Sequence, residues 1–191
     1  MVDSLYTAIV LSAKPVNLLI PGLVVLGRVQ QITTAAEMND ARLNAFAHVT
    51  TPYCFYLDDD DELPADYLSV LNECRAADVA LAYTNELVRG PTGEFLRQAK
   101  PYDRQAHAQD AMFVHHLALM RTNDAQAAAQ TAPRGDYWPE MTMFAQLAAK
   151  GAAHIDRVGY VWNKASGMHT WPTTLVAQVA STAWAHRSIA P

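Results

Sequence analysis

Thr51–Pro64 reads TPYCFYLDDDDELP, and the fold turns on how this stretch is read. Tyr53–Leu57 is an aromatic and aliphatic run of strand composition. It breaks off into Asp58, Asp59, Asp60, Asp61 and Glu62, and Pro64 then opens a helix expected over Ala65–Cys74. A strand that delivers several carboxylates to its C-terminal end, beside a helix start, suits a hard divalent cation such as Mg²⁺ or Mn²⁺, which takes oxygen ligands and keeps room for substrate phosphates. In extended backbone Asp58 and Asp60 project to the same side, so one ion is within reach of both. A plainer reading is an acidic, helix-capping turn. Against it, adjacent aspartates repel one another and raise their own desolvation cost unless a cation offsets it.

Working outward, 191 residues make most simply one domain, 1–191, with room for a real core. Apolar residues are 51% of the chain and charged residues only 17%, which excludes extensive disorder. A net charge of −5 argues against non-specific binding along a nucleic-acid backbone. Cys54 and Cys74 have neither zinc-site nor disulfide-framework spacing, so a reducing compartment is expected. Met1–Ser4 carries Asp3 rather than a basic leader, and the apolar span Val16–Leu26 is too short to cross a membrane. The expectation is a soluble, cytoplasmic protein.

Tyr6–Leu11 predicts a buried strand ending in Ser12-Ala13-Lys14-Pro15, a strand-to-helix turn. Val16–Leu26 predicts a helix divided at Pro21-Gly22, and Val29–Thr34 a second strand. Ala35–Val49 has helical periodicity. Asp78–Tyr83 reads as a strand leading into Thr84-Asn85-Glu86, and Val88–Gln109, with its Gly and Pro, as a long loop. Ala111–Met120 reads as a strand that would set His115 and His116 on opposite faces, and the alanine- and glutamine-rich Asn123–Ala132 as a short surface helix or a flexible segment. Pro139–Lys150 is a helix with Pro139 in its first turn and Gly151 as terminator. Ala153–Trp162 is a strand, Asn163–Thr170 a polar loop and Trp171–Ile189 a terminal helix. This alternation predicts an α/β fold with a mostly parallel, Rossmann-like sheet flanked by helices, whose ligands bind beyond the strand C-termini.

Several segments, in order, resemble the GT-A glycosyltransferases of the family 2 type. Ala41-Arg42-Leu43-Asn44 precedes Tyr53-Cys54-Phe55-Tyr56-Leu57-Asp58-Asp59-Asp60-Asp61 much as that family's Ala-Arg-Asn element precedes its Leu-Asp-x-Asp-Asp motif. Gly135–Leu147, GDYWPEMTMFAQL, then Gly151, then Tyr160–Thr170, YVWNKASGMHT, resemble its acidic helix start, Gly turn, strand and His-bearing loop. The resemblance covers roughly two thirds of the chain. It departs at Ser12-Ala13-Lys14-Pro15 and at Thr33–Glu37, where a strand-helix portion of the nucleotide-binding half is missing.

The resemblance implies a metal-dependent, inverting glycosyltransferase that uses a nucleotide-sugar donor, a UDP-sugar by family default. By position it makes Asp60 the direct Mn²⁺ or Mg²⁺ ligand and Asp58 its DxD partner at the ribose or a metal-bound water. Asp61 would order the loop or touch the donor sugar, and Arg42 would hold the nucleotide side. His169 matches a loop histidine that ligates metal or diphosphate. Glu140 falls at the catalytic base, with Asp136 its competitor. Lys14 and Glu37 are candidates for phosphate and for base or ribose. Trp138, His116 and Trp162 are candidates for the acceptor, which the sequence leaves open among a glycan, a lipid-linked sugar, a small molecule, a protein side chain and a modified nucleic-acid base.

Each residue also has a structural reading. An acidic residue in a first helical turn, as at Glu140, is favourable by roughly 0.3–1 kcal/mol without chemistry, Asp136 beside Gly135 forms turns, and tryptophans most often pack. A metal-dependent nucleotidyltransferase and a non-catalytic nucleotide- or sugar-binding protein of the same fold stand as alternatives.

Overall fold

The computed structural model describes residues 4–12, 18–29, 34–110, 112–135 and 137–164, with 180, 181, 183, 184 and 187; the side chains of 28, 29, 35 and 140 are outside that description. Its elements run β1 (Tyr6–Ser12), β2 (Val24–Val29), α1 (Ala35–Ala45) with a 3₁₀ turn at Phe46–His48, β3 (Tyr53–Tyr56), α2 (Tyr67–Ala76), β4 (Leu81–Gly90), β5 (Gly93–Arg97), α3 (Arg104–Gln109), β6 (Ala118–Arg121), α4 (Thr122–Thr131), α5 (Pro139–Ala148) and β7 (Ala152–Asn163).

The sheet runs β2-β1-β3-β6-β4, with β1 parallel to both β2 and β3 and β6 antiparallel to its two neighbours. β7 lies parallel to β4 from Leu81 to Arg89. A strand has two edges, so β6 and β5 share the other one: β6 pairs at Leu81–Tyr83 and β5 at Glu86–Gly90. Side chains alternate across this sheet as period two requires. Ile9, Cys54, Tyr56, Leu81 and Met120 pack with Leu43, Phe46, Ala125 and Phe144 on one face. Tyr6, Ala8, Val10, Phe55, Ala82 and Tyr160 pack with Val70, Leu71 and Cys74 on the other. With helices on both faces, the parallel strands β1 and β3 are buried on both sides, as central parallel strands need to be. Cys54 and Cys74 are free thiols within these cores, and burial pushes both up to about 12.

Three expectations are corrected. Val16–Leu26 does not form a helix over its described part: Leu18–Leu23 is irregular and Val24 begins β2. That run is apolar without a 3.6-residue period, and Pro21-Gly22 ends any helix before a strand pairs with β1. The expected loop after Val88 is instead a hairpin, since β4 continues to Gly90 and returns as β5 through Pro91-Thr92. Ala118, not Ala111, begins β6, so His115 and His116 precede the strand. The α1 start carries a capping box: Thr34 Oγ1 accepts from Glu37 N at 3.2 Å and the Glu37 carboxylate accepts from Thr34 N at 3.1 Å.

Candidate active site

The acidic run follows β3, on the side of the sheet toward which the parallel strands β1, β3, β4 and β7 all run. It is a turn in which Asp61 N donates to the Asp58 carbonyl at 3.2 Å, and β7 pins it. The Tyr160 hydroxyl accepts from Asp58 N at 3.0 Å and donates to Asp61 Oδ2 at 2.8 Å. Asn163, the last residue of β7, donates its N–H to Asp61 Oδ1 and its Nδ2 to the Asp60 carbonyl, both at 2.7 Å. Glu62 exchanges two backbone hydrogen bonds with Val161, and its carboxylate meets Arg89 Nη1 at 2.8 Å. Asp61 and Glu62 are thus engaged in holding the turn.

Asp58 differs. Arg42, from the last turn of α1, reaches its Oδ1 at 2.7 Å while lying over the Tyr56 ring at 5.6 Å. On the other side His116 Nε2 is 3.9 Å from Asp58 Oδ2. The antiparallel pairing of β3 with β6, Tyr53 opposite Arg121 and Cys54 opposite Met120, brings the segment before β6 to the side of the sheet where β3 ends. The His116 ring is buried and stacks on Tyr160 at 4.8 Å. Burial foremost, then the neighbouring His115, pushes it down to about 3, so His116 is neutral at ordinary pH and contacts Asp58 without a charge. Burial raises the Asp61 carboxyl to about 6, against the pull of the Asn163 and Tyr160 hydrogen bonds.

Among the described residues no group of three His, Cys, Asp or Glu is arranged to hold a metal ion. Asp58 and the half-buried Asp60, two residues apart in one turn, nevertheless offer carboxylate oxygens just past the end of β3. That fits a hard cation which takes one or two carboxylates and fills its other positions with water and substrate phosphate.

No protein-family profile matches the sequence, and no curated protein matches it. Among solved structures, TarS 1–349 of S. aureus in complex with UDP-GlcNAc superposes with a TM-score of 0.63 at 11% identity, over 86% of this chain and 60% of that one. A second structure of S. aureus TarS 1–349 gives a TM-score of 0.58 at 11% identity, over 96% of this chain and 72% of that one. The chain therefore spans less than two thirds of the first of these. The fold is GT-A-like.

Within that frame the structure brings Arg42, Asp58, Asp60, Asp61 and His116 together. Trp162, on β7, lies 5.4 Å from the His115 ring, with Lys164 Nζ 5.5 Å from its own ring. Trp138 caps α5 and packs, as Trp184 does, against the cluster of Ala108, Met141 and Ala145, a setting that explains the residue without a ligand. Glu37 is occupied in the α1 capping box. Glu140 is in the first turn of α5, its side chain outside the described residues; Lys14, Asp136 and His169 also lie outside them. Tyr160 and Asn163, which organise the turn, went unread as site residues, because a tyrosine and an asparagine about a hundred positions downstream carry no local signal.

Among the described residues, no helix is long and apolar enough to cross a membrane.

Proposed function

We propose that this chain transfers a sugar from a nucleoside-diphosphate sugar to an acceptor hydroxyl, with inversion and with the help of Mg²⁺ or Mn²⁺. The observation that carries the reading is Asp58, oriented by Arg42 at the end of a central strand, with Asp60 two residues on in a turn fixed by β7. The fold supports it, as does the UDP-GlcNAc carried by one of the two TarS structures above.

Asp60 and Asp58 are the residues that would hold the cation. When bound it offsets the negative charge that develops on the departing diphosphate. Arg42 fixes the direction of the Asp58 carboxylate. Asp61, tied to Tyr160 and Asn163, fixes the backbone of the turn. Lys14 and His169 are proposed on the diphosphate side. For the proton of the acceptor hydroxyl, three groups compete: the carboxylates Glu140 and Asp136 around the start of α5, and an imidazole taken up below.

The test is a panel of UDP-, GDP-, CDP- and TDP-sugars, UDP-GlcNAc first, scored for binding by calorimetry and for release of nucleoside diphosphate with Mn²⁺. Wild type is expected to release diphosphate and to stop on chelation. Asp60→Ala is expected to lose about 100-fold or more, the scale of losing charge stabilisation in a transition state. Pyrophosphate in place of nucleoside diphosphate would mean nucleotidyl transfer, and binding without any turnover a binding protein.

A further inference from the structure

Between the middle of β4, residues 97–100 and residues 110, 112, 113, 115 and 116 lies a cleft of about 160 Å³, lined among others by Glu86, Arg97, Lys100, Asp110, His115 and His116. Its floor holds an unusual group. Glu86 is only 2% exposed, and a buried carboxylate survives as an ion only when fully paired. Here Oε1 accepts from Arg97 Nη1 at 2.6 Å and Oε2 lies 2.7 Å from His115 Nδ1. Arg97 is held in turn by donating to the Met112 carbonyl. Burial alone would raise the Glu86 carboxyl; the hydrogen bond from His115 and the Arg97 guanidinium outweigh it, and Glu86 stays below the usual carboxylate range.

An ionised carboxylate only accepts hydrogen bonds, so the proton between the two groups sits on His115 Nδ1, and in the neutral ring that leaves the lone pair on Nε2. The ring cannot easily turn away, standing between His116 at 4.3 Å and Trp162 at 5.4 Å. His116, its neighbour, abuts Asp58. The cleft and the acidic turn therefore meet across one buried imidazole, and His115 lines the cleft side.

We propose that this cleft seats the hydroxyl-bearing acceptor and that His115 Nε2 takes the proton of the attacking hydroxyl, with Glu86 and Arg97 as positioning residues. The inference rests on the glycosyl-transfer reading above. In the step the acceptor O–H bond breaks and its proton passes to Nε2. The acceptor oxygen forms a bond to the anomeric carbon, while the bond from that carbon to the diphosphate oxygen breaks and its electron pair leaves on the nucleoside diphosphate. The imidazolium formed remains hydrogen-bonded through Nδ1–H to the Glu86 carboxylate, whose charge stabilises it. Lys100 and Asp110 give the cleft a charged rim of both signs, suited to a polyhydroxylated acceptor rather than an apolar one.

The experiment measures UDP release from UDP-GlcNAc with Mn²⁺, once with water and once with concentrated glycerol as acceptor, alongside calorimetric binding of the same donor. His115→Ala is expected to release UDP about 100-fold more slowly or worse, the contribution of a positioned base, with donor affinity unchanged. Glu86→Gln is expected to retain donor binding, lose part of the rate, and show in ¹⁵N-imidazole spectra a mixture of His115 tautomers where wild type shows Nδ1–H alone. Full activity in His115→Ala, with the loss falling instead on Glu140→Gln or Asp136→Asn, overturns the proposal and leaves glycosyl transfer standing. A wild type that binds donor yet releases no UDP in water or glycerol has no base poised in the cleft, and overturns it too. Failure of wild type to bind UDP-GlcNAc or any other donor of the panel removes the glycosyl-transfer reading and this inference together.

Discussion

Asp58 and Asp61 belong to one turn, yet their surroundings give them different chemistry. Asp58 faces the Arg42 guanidinium, whereas Asp61 is turned inward against Tyr160 and β7, where burial raises its carboxyl to about 6. A group raised in this way adds stability fully below its unfolded value near 3.8 and loses it as pH rises through about 6. At neutral pH Asp61 is therefore ionised at some cost, met by two hydrogen bonds. Tyr160→Phe removes one of them and also leaves Asp58 N–H without its acceptor. The expected outcome is a destabilisation of about 1–3 kcal/mol and an Asp61 midpoint above that of wild type, read by carboxyl ¹³C NMR in metal-free buffer. An unchanged midpoint would mean that Tyr160 does not hold this carboxylate in solution.

The pairing of β4 with β7 is where elements place the chemistry. Its register shifts between Thr84 and Asn85 and again between Asn85 and Glu86, and this irregularity aims Glu86 at the cleft and Tyr160 at the acidic turn. Gly159 makes it possible: a Cβ there would stand 2.4 Å from Thr84 Oγ1, on a β-branched side chain with little freedom to yield. Gly159→Ala is expected to cost about 1–3 kcal/mol in urea unfolding, and Thr84→Ala in the same chain to recover part of it, a non-additivity that contacting residues show. None of this was legible from the sequence. β3 and its carboxylates, α5 and β7 could be read because their apolar residues keep one period and a proline, a glycine or the acidic run marks an end; α1 has no net apolar face, and its clearest mark is the Thr34–Glu37 cap. β2 was missed because Val24–Leu26 continues an apolar run begun earlier, and β5 because all of it but Arg97 is exposed and leaves no burial pattern. The contact of Glu86 with both Arg97 and His115 depends on strand register and on a loop path, which no local pattern encodes.

For the molecule as a whole, the histidines matter more to pH stability than the acidic run does. His107 is fully buried between Tyr102 and Phe113, with Nδ1 3.2 Å from the Tyr102 hydroxyl, and desolvation pushes it down to about 4. His116 is pushed down to about 3 for the same first reason. Both are neutral in the folded chain and take up a proton near the model-peptide value of 6.5 once unfolded. The stability each contributes is thus complete above 6.5 and drains as pH falls toward the folded values. By about pH 5 the loss is roughly 2 kcal/mol for each histidine. Asp61 works in the opposite direction over part of that range, but it is one group, more open to solvent than either ring, and does not cancel two. The expected result is a urea midpoint that drops steeply between about pH 7 and pH 5 with little change in slope. His107→Asn should lessen that drop even if it lowers stability at neutral pH, because asparagine has no proton to gain on unfolding. A midpoint flat across this interval, or a drop untouched by that substitution, would show that His107 is already protonated or solvated in the folded chain, and that the packing drawn around α3 is looser than its ring contacts imply.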